Sequence, residues 1–211
     1  MTLLDAAPCE TEHETGGYVK GVAIALVTQN KDNEGLRRVK VRYPWHDKPG
    51  ESYWARIATP MAGKERGFLM VPEVGDEVLV AFEREDVRFP YVLGALWNGP
   101  DKPPHPSDDK NDKRIIKSRK KHYLLFDDGA SGVVELAHEK GRKIRIDDNG
   151  FVVQDEKGNV VKVDSNTGAM TIEAKGKLHI KAATITIEAT GTLDLKASAT
   201  LTVRGALVNI N

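Results

Sequence analysis

Met170-Thr171-Ile172, Leu178-His179-Ile180, Ile185-Thr186-Ile187, Leu193-Asp194-Leu195, Leu201-Thr202-Val203 and Val208-Asn209-Ile210 are copies of one pattern, apolar–polar–apolar, starting 8, 7, 8, 8 and 7 residues apart. A small residue follows two positions after most copies: Ala174, Ala182, Ala189, Ala197 and Gly205. Self-similarity at a fixed period names an architecture before any single residue does. Successive strand side chains point to opposite faces, so each copy reads as a short strand with one apolar face. The intervening positions, among them Thr171, His179, Thr186, Asp194 and Thr202, are polar, as a half-wet sheet requires. β-branched residues are frequent and no proline follows Pro106, which favours strand over helix.

The pattern continues upstream in looser form as Leu124/Phe126, Val134/Leu136, Ile144/Ile146, Phe151/Val153 and Val161/Val163. The links, such as Asp127-Asp128-Gly129, Glu139-Lys140-Gly141 and Asp147-Asp148-Asn149-Gly150, are rich in residues that tolerate tight turns. An eight-residue unit supplies one strand and a corner and cannot enclose a core. A lone chain would leave both its apolar stripe and its strand edges open, which natural proteins avoid. Three copies around one axis would close the section. The expectation for 122–211 is therefore a homotrimeric triple-stranded β-helix or β-prism, a stiff rod of very roughly 50 Å from strands about 4.8 Å apart. Its inward core is Met170, Ile172, Leu178, Ile180, Ile185, Ile187, Leu193, Leu195, Leu201 and Val203. The alternatives are a single-chain solenoid, which needs longer coils, and a flat antiparallel meander, which needs a second layer over its apolar face.

Composition bounds the rest. The 211 residues carry 31 Lys+Arg and 31 Asp+Glu, a formal net charge of zero. A non-specific nucleic-acid binder would carry a basic excess. No apolar run approaches the ~20 residues that span a bilayer. The start, Met1-Thr2-Leu3-Leu4-Asp5, lacks the basic and apolar regions of a secretory signal, so synthesis in the cytoplasm is expected. A single cysteine, Cys9, excludes an intrachain disulfide framework.

Residues 1–17 read as a flexible polar tail, 18–100 as a compact unit, 101–121 as a linker with Pro103, Pro104 and Pro106, and 122–211 as the repeat. Within 18–100, strands are expected over Tyr18–Thr28, Arg38–Tyr43, Tyr53–Thr59, Gly67–Val71, Glu77–Phe82 and Pro90–Leu96, with turns at 31–35 and at Gly75-Asp76. Arg38-Val39-Lys40-Val41-Arg42-Tyr43 alternates strictly. Short strands separated by Gly and Pro turns in about 80 residues indicate an OB-fold barrel. The fold class is all-β, an OB barrel followed by the trimeric β-helix.

Four stretches carry a resemblance. Gly35-Leu36-Arg37-Arg38-Val39-Lys40-Val41-Arg42-Tyr43-Pro44-Trp45, Trp54-Ala55-Arg56-Ile57-Ala58-Thr59-Pro60-Met61-Ala62-Gly63, the run from Val71 to Phe82 and the run from Pro90 to Gly99 occur in that order. The chain resembles the central spike proteins of contractile injection systems, the VgrG and phage baseplate assembly protein V family. The resemblance implies a non-enzymatic homotrimer at the baseplate centre that pierces a target envelope when a sheath contracts, with transient membrane contact. The family's large N-terminal hub has no counterpart here, which implies a separate hub protein joining spike to tail tube. No lysozyme lies between barrel and repeat, and no His-x-His iron tip is present. The end, Val208-Asn209-Ile210-Asn211, reads as a rung cut flush, so a PAAR-type tip protein is expected on it, with effector cargo as a further passenger. The same resemblance places the protein in the baseplate of a tail or particle, delivered into or released outside the cell.

Asp108/Asp109, Asp127/Asp128 and Asp147/Asp148 sit in turn sequences, not across a cleft as a glycosidase needs. The histidines His13, His46, His105, His122, His138 and His179 show no metal-ligand spacing, and Ser131 lacks the nucleophile-elbow context. No catalytic residue, metal or cofactor is expected. The basic run 113–121 reads as a solvated start to the shaft, or as a collar that steers an anionic partner. Tyr43, Trp45, Tyr53 and Trp54 read as barrel-core or trimer-contact residues. The rival reading lets them stack bases, making the chain an OB-fold nucleic-acid-binding module with a β-structured oligomerisation domain. Neutral charge opposes it.

Overall fold

The computed structural model describes residues 17–46, 50–106 and 108–210. Apart from Gly17, the stretch read as a flexible tail lies outside them, with Cys9 and His13; so does Asn211. The chain is all-β and divides into two units at Asp109/Lys110.

The first unit is built from β1 (Val22–Gln29), β2 (Lys40–Arg42), β3 (Arg56–Ile57), the short hairpin β4 (Ala62–Gly63) with β5 (Arg66–Gly67), β6 (Glu77–Phe82) and β7 (Pro90–Ala95). Five of these form one sheet in the order β2-β1-β6-β7-β3. The pairings are antiparallel except β3 with β7, which is parallel. Val39 and Ala55 exchange both backbone hydrogen bonds, at 3.0 and 2.7 Å, and so join the two edges of the sheet. The curled sheet encloses Ala25, Val27, Val39, Val41, Ala55, Val78, Val80 and Val92. Alternation explains the choice: Val39 and Val41 point inward while Arg38, Lys40 and Arg42 point away. β-branched valines fit a strongly curved strand without surplus volume.

Two expected strands came out shorter. Tyr53–Thr59 contributes only β3 and the Ala55 bridge, and Gly67–Val71 contributes only the β5 end of a two-residue hairpin. Phe68, Leu69 and Met70 are exposed. Their apolar run carries no alternation, so nothing in it selects an inward face.

The second unit is a seven-stranded antiparallel meander in chain order. Its strands are β8 (Lys113–Lys117), β9 (Tyr123–Asp127), β10 (Val133–Ala137), β11 (Lys143–Asp147), β12 (Gly150–Gln154), β13 (Val160–Asp164) and β14 (Ala169–Glu173). β8 falls inside the stretch read as linker; alternating charge around Ile115-Ile116 hid a strand whose partner is β9. Turn chemistry fixes the register. Asp127, Asp147, Asp155 and Asp164 each accept backbone N–H bonds from residues two to four positions on. Gly150 has φ +134°, and a Cβ there would lie 2.1 Å from the Val163 carbonyl oxygen.

Candidate functional site

The five-residue strands place positions 2 and 4 on one face of the meander. Register aligns them into two continuous files. The first is Ile116, Leu124, Leu136, Ile144, Val153, Val161 and Ile172, one residue per strand. The second begins at Arg114 and continues as Phe126, Val134, Ile146, Phe151, Val163 and Met170. All five upstream pairs read from the sequence, and the pair Met170/Ile172, thus lie side by side. Nothing in the unit covers them: Leu136 is 54% and Ile146 53% exposed. An apolar strip this continuous marks an interaction surface.

The opposite face is mixed, with Ile115, Leu125 and Val152 beside a network of charged side chains. Glu135, 6% exposed, accepts a hydrogen bond from the Tyr123 hydroxyl and faces Lys143 Nζ at 3.6 Å and Arg145 at 3.7 Å. Arg145 also pairs with Asp147 at 2.9 Å, and Lys162 with Asp164 at 3.6 Å. The Arg145 guanidinium, with the Asn149 backbone N–H, holds the Asp147 carboxyl below the usual carboxylate range.

The expected core residues divide at Glu173. Met170 pairs with Val163 and Ile172 with Val161. Leu178, Ile180, Ile185, Ile187, Leu193, Leu195, Leu201 and Val203 belong to no strand of the chain's own sheets, and all are exposed. Among the described residues every position from 171 to 210 is exposed. Of the end expected to meet a tip protein, Val208, Asn209 and Ile210 are exposed, Ile210 at 90%; Asn211 lies outside the described residues.

The two lateral edges of the meander are chemically different. One collects the turns after β8, β10 and β12 and the exit of β14; the ranges 117–123, 137–143, 154–160 and 173–175 hold nine basic against four acidic residues. Its turns touch: the His122 and His138 rings lie 4.4 Å apart, and each Nδ1 accepts a backbone N–H, from Glu139 and Lys140. The other edge collects the entry to β8 and the turns after β9, β11 and β13; the ranges 112–113, 127–133, 147–150 and 164–169 hold six acidic residues and one basic. These turns also touch, through Asp148 N–H to the Ser131 carbonyl and Ser165 N–H to the Asn149 carbonyl. Most of the basic run 113–121 thus lies in β8 and in the turn that starts the basic edge. This segregation is invisible along the sequence, because it needs the meander's alternation to sort the turns.

In the barrel, Tyr43 packs against the core and donates its hydroxyl proton to the Val87 carbonyl at 2.7 Å. Burial pushes the Tyr43 phenol above its ordinary value. The other three aromatics lie outside the core cluster: Trp45 donates to the Ile24 carbonyl, exposed Tyr53 stacks on Phe89, and Trp54 lies beneath Arg38 and Lys40. Asp32 accepts from the Arg38 side chain and from the backbone N–H groups of Glu34 and Arg38, which holds its carboxyl far below the carboxylate range. Among the described residues no group of three or more His, Cys, Asp or Glu is placed to hold a metal ion.

The sequence profile of the type VI secretion system/phage-baseplate injector OB domain matches residues 23–97, which are the curled sheet and its loops. Through this domain the chain is similar to the VgrG/phage baseplate assembly protein V family. Similar proteins include the actin cross-linking toxin VgrG1 of Vibrio cholerae, 25% identical over 162 residues, 70% of this chain and 15% of that protein. The type VI secretion system spike protein VgrG3 of Vibrio cholerae is 29% identical over 133 residues, 57% of this chain and 13% of that protein. The spike protein VgrG1a of Pseudomonas aeruginosa is 32% identical over 109 residues, 48% of this chain and 17% of that protein. The matched parts are therefore a small fraction of each of these relatives.

Proposed function

We propose that this chain is a structural, non-enzymatic spike of a contractile injection machine, a homotrimer that pierces a target envelope on sheath contraction. One observation carries the reading. An uncovered apolar strip runs the length of the meander, and the same apolar–polar–apolar pattern continues, at a tighter spacing of 7 or 8 residues, into 176–210, where the chain offers no strand to pair with. Sister copies supply what is missing. Three meanders turn their apolar files inward, and the units from Leu178 to Ile210 pair with their equivalents, so that Leu178, Ile180, Ile185, Ile187, Leu193, Leu195, Leu201 and Val203 become a shared core. Apolar burial at about 25 cal/mol per Å² then accrues to the assembly rather than to the chain.

The remaining partners follow from the same reading. Val208-Asn209-Ile210-Asn211, with Val208 and Ile210 exposed, meets a PAAR-type tip protein. A separate hub joins the spike to tail tube and baseplate, effector cargo travels with it, and its contact with the target membrane is transient. Nucleic acid is not a partner. The protein is assembled in the baseplate and leaves the cell with the particle or is driven into its target. Light scattering and native mass spectrometry on the full chain test the central claim: the expected mass is three chains, and a folded monodisperse monomer at micromolar concentration would overturn it.

A further inference from the structure

We infer that the two edges of the meander are complementary halves of one contact, and that they set how sister chains are ordered around the axis. This rests on the trimer proposed above and adds its geometry. When sheets surround a cyclic axis that runs along their strand stacks, the left edge of each meets the right edge of the next. The contact is head-to-tail and closes into a ring. In this chain the two edges that would meet are the basic one and the acidic one. The turns on the two edges are also offset by one strand, since β8–β9, β10–β11 and β12–β13 are joined on one side and β9–β10, β11–β12 and β13–β14 on the other. One chain's basic turns therefore fit between its neighbour's acidic turns.

The exposed tips carry the charge. Lys120, Lys140 and Lys157 are exposed, one in each turn of this edge; the positive excess lies in the first two turns, since Lys157 is flanked by Asp155 and Glu156. Asp148 is exposed in the second acidic turn; Asp128, exposed in the first, also pairs with Arg114 of its own chain at 2.9 Å, and Asp112 stands at the entry to β8, where its carbonyl accepts the Asp128 N–H. Asp127, Asp147, Asp155 and Asp164 are committed to their own turns and stay out of the contact. An antiparallel pairing of two sheets would set like edge against like edge. Charge on the edges thus selects parallel, head-to-tail closure, the kind of discrimination for which interface electrostatics is suited.

Three variants of the full chain test this. The first carries Asp112→Lys, Asp128→Lys and Asp148→Lys; the second carries Lys120→Glu, Lys140→Glu and Lys157→Glu; the third carries all six. With wild type trimeric, the first two should lose at least tenfold in trimer affinity at low salt, with partial recovery at high salt. The third should recover the trimer, because both edges are exchanged and again match. It should also refuse to mix with wild type, since a mixed ring sets like charge against like. Native mass spectrometry of refolded, isotope-labelled mixtures then shows two pure trimers. Normal trimers from both single-edge variants, failure of the six-fold variant to assemble, or free mixing would each overturn the edge pairing while leaving the trimer intact. A monomeric wild type would instead remove the trimer itself.

Discussion

Asp32 and Gly150 illustrate how single residues hold the two units. Asp32 organises the loop between β1 and β2 by accepting four hydrogen bonds from Glu34 and Arg38. Its carboxyl is depressed in the folded state, so the stability it adds is present above the ordinary unfolded value, about 3.9, and is lost as pH falls toward the folded value. The Asp32→Asn variant should be less stable than wild type at neutral pH, by urea midpoint, and the gap should narrow as pH drops below about 4. The opposite trend would show that the charge is not what matters. Gly150 faces a different constraint. Any side chain there meets the Val163 carbonyl oxygen, backbone that cannot rotate away. Gly150→Ala should cost more than about 2 kcal/mol in the meander, read as a lowered melting transition.

At the scale of elements, much of the architecture was legible. The strict alternation over 38–43 placed Val39 and Val41 in the core, and β6 came out over Glu77–Phe82 as read. Apolar pairs separated by one polar residue found the meander's strands because period two is all that a one-sided strand needs. β8 escaped because Lys113, Arg114 and Lys117 surround its two isoleucines. The shortening of the strands around 53–59 and 67–71 was not legible either, since barrel strands end where curvature takes their partners away, a long-range property. The units after Glu173 form no ladder among the described residues, and on the trimer proposed above their partners are strands of sister copies. Two variants separate these levels. Val80→Ala removes buried volume from the barrel and should cost roughly 2 kcal/mol. Ile187→Asp or Leu195→Asp should leave the barrel folded and block assembly, by light scattering. Trp45, Trp54 and Trp97 all lie in the first unit, so tryptophan fluorescence reports the barrel alone. Normal trimers from both variants would refute the inward assignment of these positions.

For the whole molecule, the proposed action is mechanical, and its chemistry is the burial of surface between chains. Purified protein on a peptidoglycan zymogram should give no clearing; a cleared zone would mean that the spike carries a hydrolase. Trimer dissociation and loss of the meander's cooperative unfolding should coincide and move together with protein concentration, because neither the apolar files nor the units beyond them have partners within one chain.

The absence of an internal ladder from 176 to 210 also bears on the fate of copies that never find companions. Extended backbone without a ladder fits a protease cleft, and exposed aliphatic side chains are what degradation machinery and chaperones hold. On the trimer proposed above, an orphan subunit offers this stretch to such machinery and an incorporated one buries it. Limited digestion should trim the C-terminal end of a dilute or Leu195→Asp sample within minutes and spare the wild-type assembly, the outcome expected if burial between copies is what protects this stretch.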